Sequence, residues 1–132
     1  MKLQAKDLRI GNIVFCCTKG SPFIGQVKSL NKNGFIETDE FSKLNLTAPV
    51  TAGPGIFGIP LTEQVFIDFG FSHSGNSFQR PGEISYYDKR PIEIMFYKDK
   101  GFVFEVNNYQ ILLGYVHQLQ NVYFALIEQE LM

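Results

Sequence analysis

The stretch that decides the fold is Leu8 to Thr38, "LRIGNIVFCCTKGSPFIGQVKSLNKNGFIET". It alternates short β-type runs with clusters of turn formers. Leu8-Arg9-Ile10 leads through Gly11-Asn12 into a strand of Ile13, Val14, Phe15, Cys16 and Cys17. Lys19-Gly20-Ser21-Pro22 is a turn cluster. Phe23 to Leu30 reads as a second strand, with Gly25 predicting a bulge or bend. Asn31-Lys32-Asn33-Gly34 is a hairpin signal, because Asn and Gly tolerate the positive φ of tight turns. Phe35 to Thr38 answers as a third strand. Short strands at this spacing predict a small, strongly bent sheet or barrel.

Outward from that stretch, Asn45 to Gly58 is rich in Gly, Pro and small residues and reads as the joint of the chain. Its "GPGIFG" lacks the Lys-Ser/Thr of a phosphate loop, and no dinucleotide fingerprint fits. Asn45-Leu46-Thr47 matches a glycosylation acceptor that has no meaning without secretion. "IPLTEQVFIDFGF", Ile59 to Phe71, reads as one short helix. Pro60 stands in its first turn, Val65, Phe66 and Phe69 form the apolar stripe, and Gly70 terminates it. Ser72 to Ser77, containing His73, reads as a polar loop. A meander follows, with strands at Ile84–Tyr87, Ile92–Tyr97 and Phe102–Val106. Its turns are Asp88-Lys89-Arg90-Pro91 and Lys98-Asp99-Lys100-Gly101. Large residues on both faces of the middle strand predict a sheet covered on both sides.

The closing stretch, Tyr115 to Leu131, reads as a helix. Tyr115, Val116, Leu119, Val122, Tyr123, Leu126 and Ile127 share one broad apolar face, expected to pack on the second sheet. His117, Asn121 and Glu128 fall on the far side, with Phe124 one turn from Gln120 and Asn121. The expected architecture is therefore α+β. An SH3-like small β-barrel lobe with its linker occupies 1–58. An α-β-β-β-α lobe occupies 59–132, with a helix, a three-stranded antiparallel meander and a C-terminal helix sharing one core with the first.

Two resemblances bear on this reading. "LRIGNIV" resembles the opening of many SH3-like barrels. Leu8 to Asn12, Ile59 to Glu63, Gly70-Phe71 and "YVHQLQNVYFAL", Tyr115 to Leu126, together resemble a family of small proteins of Bacteroidetes, their phages and mobile elements. The resemblance implies one folding unit and a phage or mobile-element connection, and brings no activity with it. That family usually continues with Thr-Gly after the last motif. Ile127-Glu128 stands here instead, so the helix is expected to run longer.

Totals narrow the function classes. Phe and Tyr supply 13 and 6 of 132 residues, and Trp is absent. Each buried Phe contributes about 1.5–3 kcal/mol, so a real core needs neither disulfide nor metal. Aromatic surplus also suits a partner surface. Net charge is −1, which argues against bulk electrostatic binding of nucleic acid. Residues 1–60 carry seven Lys/Arg and four Asp/Glu, and residues 61–132 five and nine. The basic front half motivates the alternative, a nucleic-acid-associated module. There Lys6, Arg9, Lys28 and Lys32 would meet phosphates, and Phe23 or Phe35 would stack on a base. Cys16 and Cys17 are adjacent, point to opposite strand faces and fit a reducing interior. No secretion signal opens the chain and no apolar run reaches about 18 residues, so the expectation is a cytoplasmic protein with no membrane association.

Catalytic and metal chemistry find little footing. Two His and two adjacent Cys give no metal-ligand spacing, and no cofactor is expected. A Cys16 or Cys17 nucleophile would need His117 beside it. Asp39-Glu40 reads as solvated charge, and an enzyme would need a pocket pairing His117 with a second titratable group. The expectation is a non-enzymatic protein-interaction or adaptor module that binds a protein partner or its own copy. Its candidate partner patch is His117, Gln120, Asn121 and Phe124. Through their hydrogen-bonding groups the same residues would alternatively tie the helix to a neighbouring loop or strand.

Overall fold

Five consecutive buried residues, Ile13 to Cys17, explain the centre of the first sheet: a strand covered on both faces needs no polar alternation. The fold is a computed structural model that describes residues 3–18, 21–31, 33–41, 55–74, 84–89, 92–97, 100–106, 108–128 and 131. Strand β1 (Ile13–Thr18) pairs antiparallel with β2 (Ser21–Leu30), which pairs with β3 (Ile36–Glu40). Strand β4 (Gly55–Phe57) returns to the other side of β1, giving the order β3-β2-β1-β4. No closed barrel is found among these strands. Leu3, Leu8, Val14, Cys16 and Val27 form one cluster, with Phe23, Leu30, Ile36 and Ile56 packed against it.

The hairpin between β2 and β3 follows its sequence signal. The Asn31 side-chain oxygen accepts from the Asn33 N–H at 2.8 Å, Gly34 N–H donates to the Asn31 carbonyl at 3.0 Å, and Gly34 holds φ +88°. Gly25 plays a different part from the bulge expected of it. A Cβ there would stand 2.8 Å from Cys16 Sγ and 3.2 Å from Thr38 Cβ, so close strand packing excludes a side chain. The register shift lies between Val27 and Ser29 instead. Asp39 and Glu40 belong to the end of β3 and are exposed.

The second sheet is larger than the meander expected. Strands β5 (Ser72–Ser74), β6 (Ile84–Lys89), β7 (Ile92–Tyr97), β8 (Gly101–Val106) and β9 (Tyr109–Leu113) pair antiparallel in chain order. The two strands beyond the expected three are its edges. β5 was hidden in a polar segment with no apolar alternation. β9 follows β8 through a two-residue connection, with Val106 opposite Tyr109 and Asn108 at φ +68°, the geometry of a tight hairpin. Ile92 and Ile94 are buried on one face of the sheet, Met95 and Val103 on the other.

Helix α1 (Glu63–Asp68) is shorter than its sequence pattern. Thr62 is its N-cap, its hydroxyl oxygen accepting from Val65 N–H at 3.3 Å. Pro60 lies before the helix, in an isolated bridge with Tyr115. Gly70 ends the helix at φ +84°, and Lys89 Nζ donates to the Phe69 carbonyl at 2.6 Å. Phe66 is the hub of the core around this helix. Its ring lies 5.2 Å from Phe71, 4.6 Å from Tyr87 and 4.8 Å from Phe102.

Helix α2 (Val116–Ile127) stops where the sequence suggests it continues. Glu128 adopts the left-handed conformation, φ 60° and ψ 26°, and its N–H donates to the Phe124 carbonyl. Gln118 caps the start, its side-chain oxygen accepting from Tyr115 N–H at 3.1 Å.

The chain divides into two compact units, Met1–Pro60 with Tyr115–Leu131, and Leu61–Gly114. The first therefore recruits α2, which the sequence had assigned to the 59–132 lobe. The apolar stripe of α2 suits either sheet, and polar pairing with the start of β1 marks its place. Of the joint read at Asn45 to Gly58, residues 45–54 lie outside the described residues and Gly55–Phe57 form β4 rather than loop. The residues 75–77 and the turn residues Lys19, Gly20, Arg90, Pro91, Lys98 and Asp99 also lie outside the described residues.

Candidate functional site

The expected partner patch is a seam within the first unit. Gln120 is 0% exposed. Its Oε1 accepts from the Ile13 backbone N–H at 2.7 Å, and its Nε2 donates to the Gly11 carbonyl at 3.1 Å. One turn face on, the Asn121 Oδ1 accepts from Asn12 Nδ2 at 2.8 Å and from Arg9 Nε at 3.2 Å. Asn12 is itself buried, and its Oδ1 accepts from the Arg9 N–H at 2.7 Å. The Arg9 guanidinium lies over the Phe124 ring, 4.3 Å from the centroid, a cation–π contact. The "LRIGN" and "HQLQN" motifs, a hundred residues apart in sequence, thus hold each other.

The physical reason lies at the entry to β1. Gly11 and Asn12 already bond to β2: Gly11 N–H donates to the Val27 carbonyl and Val27 N–H to the Asn12 carbonyl, each at 2.8 Å. The Ile13 N–H has no such role and is buried, so leaving it unpaired would cost about 1–3 kcal/mol. A side-chain amide, which both donates and accepts, is the group that answers an N–H and a carbonyl two residues apart.

His117 is 3% exposed, and its ring stacks on Tyr115 with centroids 5.9 Å apart. Its Nδ1 has no hydrogen-bond partner among the described residues. Burial pushes the imidazole below its ordinary 6.5, and the carboxylate of Asp7 acts in the other direction. The four-residue recognition patch is corrected accordingly. His117 and Gln120 are inside the fold, and of the four only Phe124, exposed, and Asn121, half-buried, reach the surface.

The basic residues proposed for nucleic acid divide among different tasks. Arg9 is committed to α2. Lys28 lies 3.9 Å from Asp39 in a pair whose members are both largely exposed. Lys6 lines a cavity with Leu3, Gln4, Ala5, Asn31, Gly34 and Ile36. Lys32 lies outside the described residues. Phe35 is exposed, whereas Phe23 packs against the core cluster. Cys16 and Cys17 are free and buried. Burial raises the Cys16 thiol, partly offset by the Thr38 hydroxyl 3.5 Å away, which disfavours the reactive thiolate. Among the described residues no three His, Cys, Asp or Glu side chains converge to hold a metal ion, and no helix is long and apolar enough to cross a membrane.

The surface that sequence reasoning missed is an edge strand. Among the described residues the two sheets end in β3, β4, β5 and β9. Strands β4 and β5 have three residues each. Strand β3 carries exposed Glu37, Asp39 and Glu40. Short length and charge are two of the ways edges are kept from pairing with other chains. β9, "YQILL", has five residues and no charge. Tyr109 is 75% exposed, Ile111 40% and Leu112 63%, so its outer edge and both its faces meet solvent. No family model, curated protein or solved structure matches the chain.

Proposed function

We propose that this protein is a non-enzymatic interaction module that assembles through the outer edge of β9, with a second copy of the chain as its partner. The carrying observation is the contrast between edges: three are shortened or charged, and Tyr109–Leu113 is neither. An unpaired strand edge offers a row of N–H and C=O groups to an added strand. Antiparallel pairing of β9 with its own copy about Ile111 sets no like charges opposite one another, because the strand carries none. Such a two-fold contact closes after two copies. It presents two copies of each remaining surface, as an adaptor does.

Sedimentation of the wild type and of Leu112→Lys tests this reading. Leu112 is exposed, so the variant should fold as the parent does. The wild type is expected to show a concentration-dependent dimer, and the variant to remain a monomer. A wild type that stays monomeric at every accessible concentration, or a variant that dimerises equally, contradicts the reading. Capture of a different chain by β9 would replace the second copy with that partner.

Further features of the expectation join the proposal. An SH3-like character of the first sheet is supported by the order β3-β2-β1-β4, in which the last strand returns beside the first. A phage or mobile-element connection is supported by the resemblance carried on the two motifs that meet in the seam. A cytoplasmic setting is supported by the two free thiols.

A further inference from the structure

Within the second unit, two half-buried aromatic rings, Phe96 and Phe102, open onto a cavity whose wall also includes the buried Tyr87, stacked between Phe66 and His73. The cavity holds about 320 Å³ and is lined by Leu61, Thr62, Glu63, Tyr87, Phe96 and Phe102. The rings come from three neighbouring strands. Phe96 on β7 stands opposite Phe102 on β8, their centroids 4.8 Å apart, and Tyr87 on β6 lies 5.8 Å from Phe102. Phe66 packs against both Tyr87 and Phe102 and fixes their positions. Phe96 and Phe102 are only half-buried, so their rings are available at the cavity.

One carboxylate lies at the wall. Glu63 opens α1, directly after the capping residue Thr62. Its Oε1 is 3.2 Å from His73 Nδ1, and the His73 ring stacks on Tyr87 at 4.8 Å. Its charge reaches the phenol as well: burial first, and Glu63 second, raise the Tyr87 hydroxyl above its usual range. The lining contains no cationic side chain, and residues 61–114 carry seven acidic against five basic residues.

Rings with negative faces and one carboxylate around a small space are the complement of a cation with an apolar skin. Aromatic faces attract ammonium groups, most strongly where water is displaced. A simple apolar ligand would gain nothing from Glu63, and an anion would be repelled by it. We propose that this cavity binds an alkylammonium head, its charge set against Glu63 and its alkyl groups against Phe96 and Phe102. The head can belong to a free quaternary amine or to a methylated lysine side chain. The site does not depend on pairing at β9.

The test is a titration with choline and with 3,3-dimethylbutan-1-ol, which has the same shape and no charge, read on the aromatic resonances of the folded protein. Choline is expected to shift Phe96 and Phe102 and to bind at least about fivefold more tightly than the alcohol. Glu63→Gln should abolish most of that preference while leaving alcohol binding unchanged. Phe96→Leu, which keeps an apolar wall but removes a π face, should reduce it too. A trimethyllysine peptide binding more tightly than choline assigns the head to a protein side chain, and the reverse assigns it to a free amine. Equal binding of choline and the alcohol, or no shift of these rings with choline, overturns the proposal. So does a Glu63→Gln variant that retains the full preference with an unchanged fold by circular dichroism.

Discussion

Gln120 shows how much one buried amide can hold. It meets a backbone N–H and a backbone carbonyl at the entry to β1; in Gln120→Leu the buried Ile13 N–H would lose its partner, while the Gly11 carbonyl would keep the Gln26 Nε2 at 3.2 Å. The variant should lose about 1–3 kcal/mol of stability, read as a lower urea midpoint with an unchanged slope. A loss of a few tenths would mean that the seam is dispensable. His117 makes a second prediction at this scale. Its folded pKa lies below the ordinary 6.5, so in the window between the two the unfolded chain binds more protons. Stability therefore falls as pH drops from 6.5 through that window. Between about pH 7.5 and about pH 5 the wild type should lose more stability than His117→Gln. Equal losses would place the acid sensitivity elsewhere. The sequence showed that these polar residues lie together on a helix, and offered a seam as one reading. It did not show that Gly11 and Ile13 are the other side, because a helical wheel ranks faces by apolarity and is blind to a partner about a hundred positions away.

Helix ends carry the clearest lesson among the elements. Gly70 and Thr62 bound α1 as local chemistry predicts, and the error at Pro60 arose because a residue suited to a first turn is equally suited to the extended segment before a cap. α2 ends without a glycine. Glu128 takes the left-handed conformation at φ 60°, which costs an L-residue about 1–2 kcal/mol relative to glycine. Glu128→Gly should stabilise the protein by about 1 kcal/mol, less the greater chain entropy that glycine gives the unfolded state. A variant less stable than the parent in thermal unfolding would contradict the geometry. The missed strands have physical reasons too. β5 is polar throughout and is a strand only because β6 pairs with it. β9 lacks the alternation of a half-buried strand because four of its five residues are exposed. Asn108, at φ +68° just before it, was the available signal, since Asn tolerates the positive φ of a tight turn.

The molecule as a whole joins two units through the path of the chain: the second, Leu61–Gly114, is inserted between Pro60 and Tyr115 of the first. The sequence made both sheets visible, yet assigned the closing helix by proximity in the chain. The central claim at this scale is that β9 is the edge meant for a partner. The most direct measurement is sedimentation equilibrium of the wild type and Leu112→Lys over the same concentration range. The account predicts a two-fold mass at high concentration for the wild type and the mass of one chain throughout for the variant. A single-chain mass for both, or a dimer that survives the lysine, would contradict it.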